Sequence, residues 1–427
     1  VKNIFIIGLD DFNLSQLQAL RHADEYRYHS LISYQSIKQG ERFPVEEFLH
    51  QAREQLDSFA GSIDAIVGYW DFPVSTVLPI LRRQYGLPGP SLEAVLKCEH
   101  KYWSRKLQAE VCPEFIPPFE AIDPFDPQAG DKIGLDYPFW IKPVKSASSY
   151  LGFQIHDRRE LEHSLEIIRA GISRFGDPFN HILQFADLPP EIAAIDGNHC
   201  IAEGIISEGR QCTLEGYVYQ GEVHVYGVVD SIREGVYQSS FSSYQYPSLF
   251  PERIEQRMID ITTRVLQYMG YDDSPFNIEF YWQEETDEIS LLEINARISK
   301  SHCPLFKMVD GEYHHAVNIN VALGRRPDFP YRQGHFNYAA KFMLRRHEDG
   351  RVIRMPDNND IDKLKQRFPD SEVLLHVTPG MRLSDMRDQD SYSYEIAVIF
   401  MGADTVEELE QNYQTALSML PVEFEVT

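Results

Sequence analysis

The stretch PFNIEFYWQEETDEISLLEINAR (275–297) decides how this chain is read. Two runs of alternating apolar and polar residues, 276–282 and 289–295, flank the polar connector QEETDE, the pattern of a β-hairpin with one buried face. Folding about Thr286 sets Glu279 opposite Glu293 and Asn277 opposite Asn295. Side chains alternate along a strand, so these four share one face, and Arg297 follows on that face if the strand continues. Opposed β-carbons lie about 4.5–5.5 Å apart. Two carboxylates at that spacing repel one another and call for a cation, and hard oxygen donors of this kind suit Mg²⁺. The alternative reading is a solvent-facing hairpin with harmless acids.

Outward from the hairpin, the chain has 427 residues, of which 65 are Asp or Glu and 40 Lys or Arg, for a formal charge of −25. So acidic a chain repels a phosphate backbone, which argues against nucleic-acid binding, and an anionic substrate needs local cations or a metal. No stretch approaches the roughly 18 apolar residues of a membrane span. Five scattered cysteines (98, 112, 200, 212 and 303) form no CxxC pair. A cytoplasmic location is expected.

Apolar runs at 3–8, 28–33 and 63–68 alternate with helical segments near 12–22, 44–57 and 73–84, which predicts a parallel α/β unit. Its first turn has a single glycine, Gly8, too few for a dinucleotide fingerprint. Residues 91–110 read as one helix, 113–127 as a Pro-rich connector, and 137–230 as mostly short strands with a hairpin turn at Gly221. Residues 234–250, rich in Ser and Tyr, read as a long surface loop, and a loop of that length is more often functional than accidental. Helix resumes at 251–269. After about 330 the pattern is a mixture of antiparallel strand and helix whose chemistry the sequence does not disclose. The expected fold class is α/β (α+β).

The 275–297 segment resembles the metal-binding hairpin of the ATP-grasp superfamily, whose second strand reads L-E-(I/M/V)-N-x-R. The resemblance implies ATP and Mg²⁺ as cofactors, with Mn²⁺ an acceptable substitute, and makes Glu279, Glu293 and Asn295 metal ligands. Arg297 would hold a phosphate or the reacting carboxylate. Other parts follow in the family's order. Lys101 in CEHKYWSRKL and Lys142 in YPFWIKPV match the lysines that reach ATP. SASSYLG (146–152) stands where the family has its phosphate-covering loop, which implicates Ser146, Ser148 and Ser149. IAEGIISEGRQCTLEGYV (201–218) matches the hinge strand, with Glu203 near the adenine and Gln211 where relatives carry a ribose-binding glutamate. Loops 146–152 and 234–250 are candidate lids.

Biotin carboxylases of this superfamily follow the arginine with a glutamate that serves as base. Here the stretch is NARISKSH, with Ser299 and Ser301 replacing the glutamine and the glutamate, and a serine has no suitable pKa for that task. Lys300 and His302 become candidate substrate contacts. The resemblance therefore implies an ADP-forming carboxylate–amine ligase acting through an acylphosphate, similar to L-amino acid ligases. Carboxylation with bicarbonate, or nucleotide binding without turnover, are the alternatives. The expected organisation is a pre-ATP-grasp α/β lobe (1–95), a small subdomain with the phosphate-covering loop (96–202), a large subdomain with the hairpin (203–330) and a C-terminal α+β region (331–427). Small-molecule acid and amine partners are expected, with a homodimer compatible and neither nucleic acid nor membrane.

Overall fold

A computed structural model describes residues 1–39, 42–147, 150–234, 240–387, 389 and 392–425. The first lobe holds three parallel strands in the order Tyr26–Leu31, Lys2–Ile7, Ala65–Val67, with helices Val45–Asp57 and Val74–Gln84 close to the predicted spans. The middle strand is buried from Ile4 to Ile7, which explains its uninterrupted apolar run.

The expected helix over 91–110 is two helices, Leu92–Glu99 and Lys101–Val111. His100 breaks them with an extended backbone. Its ring caps the second helix by accepting the Trp103 N–H at Nδ1, and Nε2 lies 2.8 Å from the Ile195 carbonyl. Burial lowers the His100 pKa to about 4 and keeps the ring neutral. A periodicity that runs through the break does not reveal a side chain that caps it.

A four-stranded sheet follows, in the order Phe119–Ile122, Cys200–Gly204, Phe139–Pro143, Phe153–Ile155. The reading of 137–230 as mostly strand missed the helices Arg158–Gly171 and Ser173–Leu183 and the short Pro190–Ala193. Leu161, Leu165 and Ile168 recur at helical spacing and bury against Phe139 and Ile141. That leaves Trp140 and Lys142 on the strand's opposite face.

The largest element is an eight-stranded sheet in the order Glu288–Asn295, Ser274–Gln283, Arg210–Tyr219, Glu222–Glu234, Ser240–Tyr246, Tyr338–Arg346, Tyr394–Ala403, Glu372–Leu375. The hairpin turn at Gln220-Gly221 carries positive φ at both residues (51° and 79°), the conformation that a two-residue turn of this hand requires. One face of the sheet packs on helix Glu252–Met269. Ile254, Met258, Ile261 and Val265 meet Phe276, Ile278 and Phe280, all essentially excluded from solvent. At about 1.5–3 kcal/mol for each buried side chain, this packing fixes which face of the hairpin is left for chemistry.

Residues 234–250 are not one surface loop. Residues 235–239 lie outside the described ones, and Ser240–Tyr246 is a strand inside the sheet, paired with Glu222–Glu234 on one side and Tyr338–Arg346 on the other. Serines are uncommon in strands, but Ser240 is buried here against Ser393 at 2.8 Å, and the aromatic residues between supply strand propensity. A strand paired on both edges does not swing, so 240–246 is no lid. The chain after residue 330 extends this same sheet. Among the described residues no helix is long and apolar enough to cross a membrane.

Candidate functional site

The hairpin face carries the predicted set. Asn277 pairs with Asn295, Ile278 with Ile294 and Glu279 with Glu293. A bulge then shifts the register by one, so Phe280 faces Leu291 and the turn centre moves half a residue from Thr286. It lies on the far side of Glu279 and leaves the acidic pairs intact. The strand ends at Asn295, but Arg297 still reaches the same space, with Nη2 at 3.4 Å from Asn295 Oδ1.

Asn277, Glu279, Glu293, Asn295 and Arg297 line one cavity of about 650 Å³ between the two sheets and the first lobe, together with Lys101, Lys142, Ser146, Glu203, Lys300 and His302. Lys101 opens the helix after the His100 break, and its Nζ lies 2.8 Å from Glu293 Oε1 and 3.4 Å from the Ser146 carbonyl. Lys142 Nζ lies 2.5 Å from Glu203 Oε1. Ser148 and Ser149 lie outside the described residues.

The two opposed carboxylates are electrostatically unequal. Burial and then the Glu293 charge raise the Glu279 pKa. Burial would raise Glu293 as well, but the Lys101 and Lys142 charges outweigh it and bring the pKa down. Glu279 therefore stands as the carboxylate in want of a cation. The donors on this face are two carboxylates and the Asn295 amide, hard oxygen ligands that fit Mg²⁺ when phosphate oxygens complete the shell. Among the described residues no three His, Cys, Asp or Glu side chains converge, so a closed all-protein cage is absent there.

Two of the expected contact residues have protein partners here. Gln211 does not line the cavity. Its Nε2 donates to Glu279 Oε2 at 2.8 Å and its Oε1 accepts from Arg233 Nε at 2.5 Å, so it braces Glu279. Glu203 lines the cavity, with its carboxylate engaged by cations. It is buried between Lys142 and Arg105 Nε (2.9 Å), and its backbone is paired with strands on both sides. Burial would raise its pKa, yet the Arg105 and Lys142 charges pull it down to about 2. It holds Lys142. His302 lines the cavity but is buried, with Nδ1 2.8 Å from Glu215 Oε1, and burial together with Lys341 and Arg297 lowers its pKa to about 3.

Sequence reading missed three groups. Asp71, in the turn after Ala65–Val67, accepts from Arg297 Nη2 at 2.9 Å and lies 3.4 Å from Lys145 Nζ, which in turn meets Glu99 at 2.7 Å. Burial opposes the Asp71 charge, but Lys145 and Arg297 hold its pKa well below the carboxylate range. Its place at the carboxyl end of a parallel strand was an available signal. Lys145, three residues beyond Lys142, and Lys341, from the region whose chemistry was unread, had no comparable mark.

No family model matches the chain. It is 25% identical over 330 residues to an uncharacterized protein, y4rH, of Sinorhizobium fredii, covering 76% of this chain. It spans 62% of that relative's length. In three dimensions it is similar to an L-amino acid ligase from Bacillus licheniformis (TM-score 0.78, 17% identity, 100% of this chain and 99% of that one). It is also similar to a carboxyaminoimidazole ribonucleotide synthase from Aspergillus clavatus complexed with ATP (TM-score 0.66, 15% identity, 98% of each). With this likeness running end to end and the acidic hairpin in register, the chain adopts the ATP-grasp fold.

Proposed function

We propose that this chain is an ATP-dependent ligase that activates a carboxylate as an acylphosphate and joins it to an amine, releasing ADP and phosphate. The observation that carries the reading is one cavity in which Glu279, Glu293, Asn295 and Arg297 on the hairpin meet Lys101 and Lys142 from the opposite side. Lys101 and Lys142 are placed to exchange their carboxylate partners for phosphate oxygens when ATP enters. Mg²⁺, or Mn²⁺ in its place, held by Glu279, Glu293 and Asn295, would neutralise phosphate charge. Trp140, Ile206, Ser207 and Leu292 line the same cavity beside Glu203 and suit a purine ring. Arg297, steadied by Asp71, would orient the reacting carboxylate or the transferred phosphoryl group. Ser146 and the residues after it would cover the phosphates and exclude water from the acylphosphate. Likeness to an L-amino acid ligase supports amine acceptors. Ser301, whose hydroxyl lies 3.3 Å from Lys341 Nζ, is no substitute for the carboxylases' basic glutamate.

The test is ADP release with panels of carboxylic and amino acids. Release that needs both an acid and an amine supports the ligase, and Glu293→Ala should abolish it. Release dependent on bicarbonate, ATP binding without turnover, or full activity of Glu293→Ala would overturn the proposal.

A further inference from the structure

Beyond the hairpin, the same cavity ends in a cluster of lysines that the phosphate site does not use. Lys300 Nζ sits 4.4 Å from the centre of the Trp70 ring, and Lys38 Nζ lies 5.3 Å from that ring. Lys341 is 8% exposed, and its Nζ lies 3.3 Å from the hydroxyl of Ser301, the neighbour of Lys300. All three lysines line the cavity. Among the described residues, no carboxylate lies within ion-pairing distance of Lys300 or Lys341. The nearest acids, Glu395 and Asp10, act on these lysines only through space and make their direct contacts elsewhere. Glu395 is held by Arg345 and His376, each at 3.1 Å, and Asp10 accepts from the Asn13 backbone at 3.0 Å, the Asn13 amide at 2.7 Å and the Tyr69 hydroxyl at 3.0 Å. Lys341 is buried and Lys300 half-buried, and ammonium groups so placed without a directly paired carboxylate are unfavourable unless a ligand adds negative charge.

We propose that Lys300 and Lys341 bind a second anionic group of the substrate, a carboxylate or a phosphate carried in addition to the reacting carboxylate. The inference rests on the ligase reading and narrows its substrate class to acidic molecules. Burial, and after it the charges of Lys341 and Lys38, bring the Lys300 pKa down to about 8, and the more distant Asp10 and Glu395 charges offset this only in part. Trp70 gives the Lys300 ammonium an aromatic face to rest on and leaves its N–H groups for the ligand.

The experiment is calorimetric titration of the wild-type chain, with magnesium and ADP present, using matched pairs: L-glutamate against L-glutamine, and O-phospho-L-serine against L-serine. At least one anionic member should bind about 10- to 100-fold tighter than its neutral partner, the range of a hydrogen bond to a charged group. The pair with the larger ratio distinguishes carboxylate from phosphate. Lys341→Met and Lys300→Met should bring that ratio toward one, while Lys341→Arg keeps part of it. Equal affinities within both pairs, no binding of either anionic member at millimolar concentration, or an unchanged ratio in both methionine variants would overturn the proposal. The wild-type comparison stands even if a variant fails to fold. ADP formation driven equally by neutral and acidic acids would remove this inference and leave the ligase reading. Anion binding that depends on the two lysines, without acid-dependent ADP formation, would do the reverse.

Discussion

Replacing Glu203 by glutamine keeps the side chain's shape and removes one buried charge from between two cations. Arg105 retains the Leu291 and Leu292 carbonyls at 2.8 Å each and the Gln108 amide oxygen, whereas Lys142 loses the carboxylate at 2.5 Å. The pKa falls from 4.5 for an ordinary glutamate to about 2 in the folded chain. At about 1.36 kcal/mol per pH unit this amounts to about 3 kcal/mol of stability. Breaking a buried ion pair costs about 3–5 kcal/mol by an independent route. Because the folded pKa is depressed, the contribution is fully present above pH 4.5 and is lost as pH falls through about 2. Urea unfolding of both proteins should therefore show Glu203→Gln less stable by about 3 kcal/mol at pH 7, with the gap narrowing below pH 4.5. A stability gap below about 0.5 kcal/mol at pH 7, or one that does not change with pH, would refute the reasoning.

Gln211→Leu removes the brace on Glu279, so the Mg²⁺ needed for half-maximal ADP formation should rise about 10- to 100-fold, as for loss of an outer partner of a metal ligand. An unchanged Mg²⁺ requirement with a raised ATP KM would favour a ribose contact over the brace. Asp71→Asn frees Arg297, and kcat should drop by about 100-fold, the scale of a misplaced orienting group, with ATP KM little changed; an intact kcat would remove Asp71 from the site. His100, His302 and His315 stay neutral in the fold down to about pH 4, 3 and 3, against an ordinary value of 6.5. All three take up protons on unfolding, so stability should fall as pH drops from 6.5 toward 4, by up to about 4 kcal/mol per pH unit. A flat stability profile over that range would contradict their burial as neutral rings.

The hairpin was legible because everything that defines it is local. Alternation, connector and register lie within 23 residues, and a bulge beyond Glu279 leaves the chemistry untouched. The parallel lobe was legible for the same reason. Asp71 was legible only as an acid at the carboxyl end of a parallel strand, and its task was not, because its partner Arg297 is 226 positions away. Gln211 was placed by its position in a motif, and position does not reveal which neighbours occupy its amide. Strand 240–246 was hidden by its serines, whose burial depends on strands that arrive a hundred residues later. The His100 break was hidden because helical periodicity continues on both sides of it.

The eight-stranded sheet has a consequence for how the chain can be divided. Strand Ser240–Tyr246 is interior because Tyr338–Arg346 covers one of its sides. Cutting the chain at residue 330 would turn it into an exposed edge, with a row of unsatisfied N–H and C=O groups open to another molecule. The half that carries the acidic hairpin is thus not a transplantable module. A truncation meant to isolate nucleotide binding would bring self-association with it, and any exchange of parts between relatives has to keep the last hundred residues with the sheet they complete.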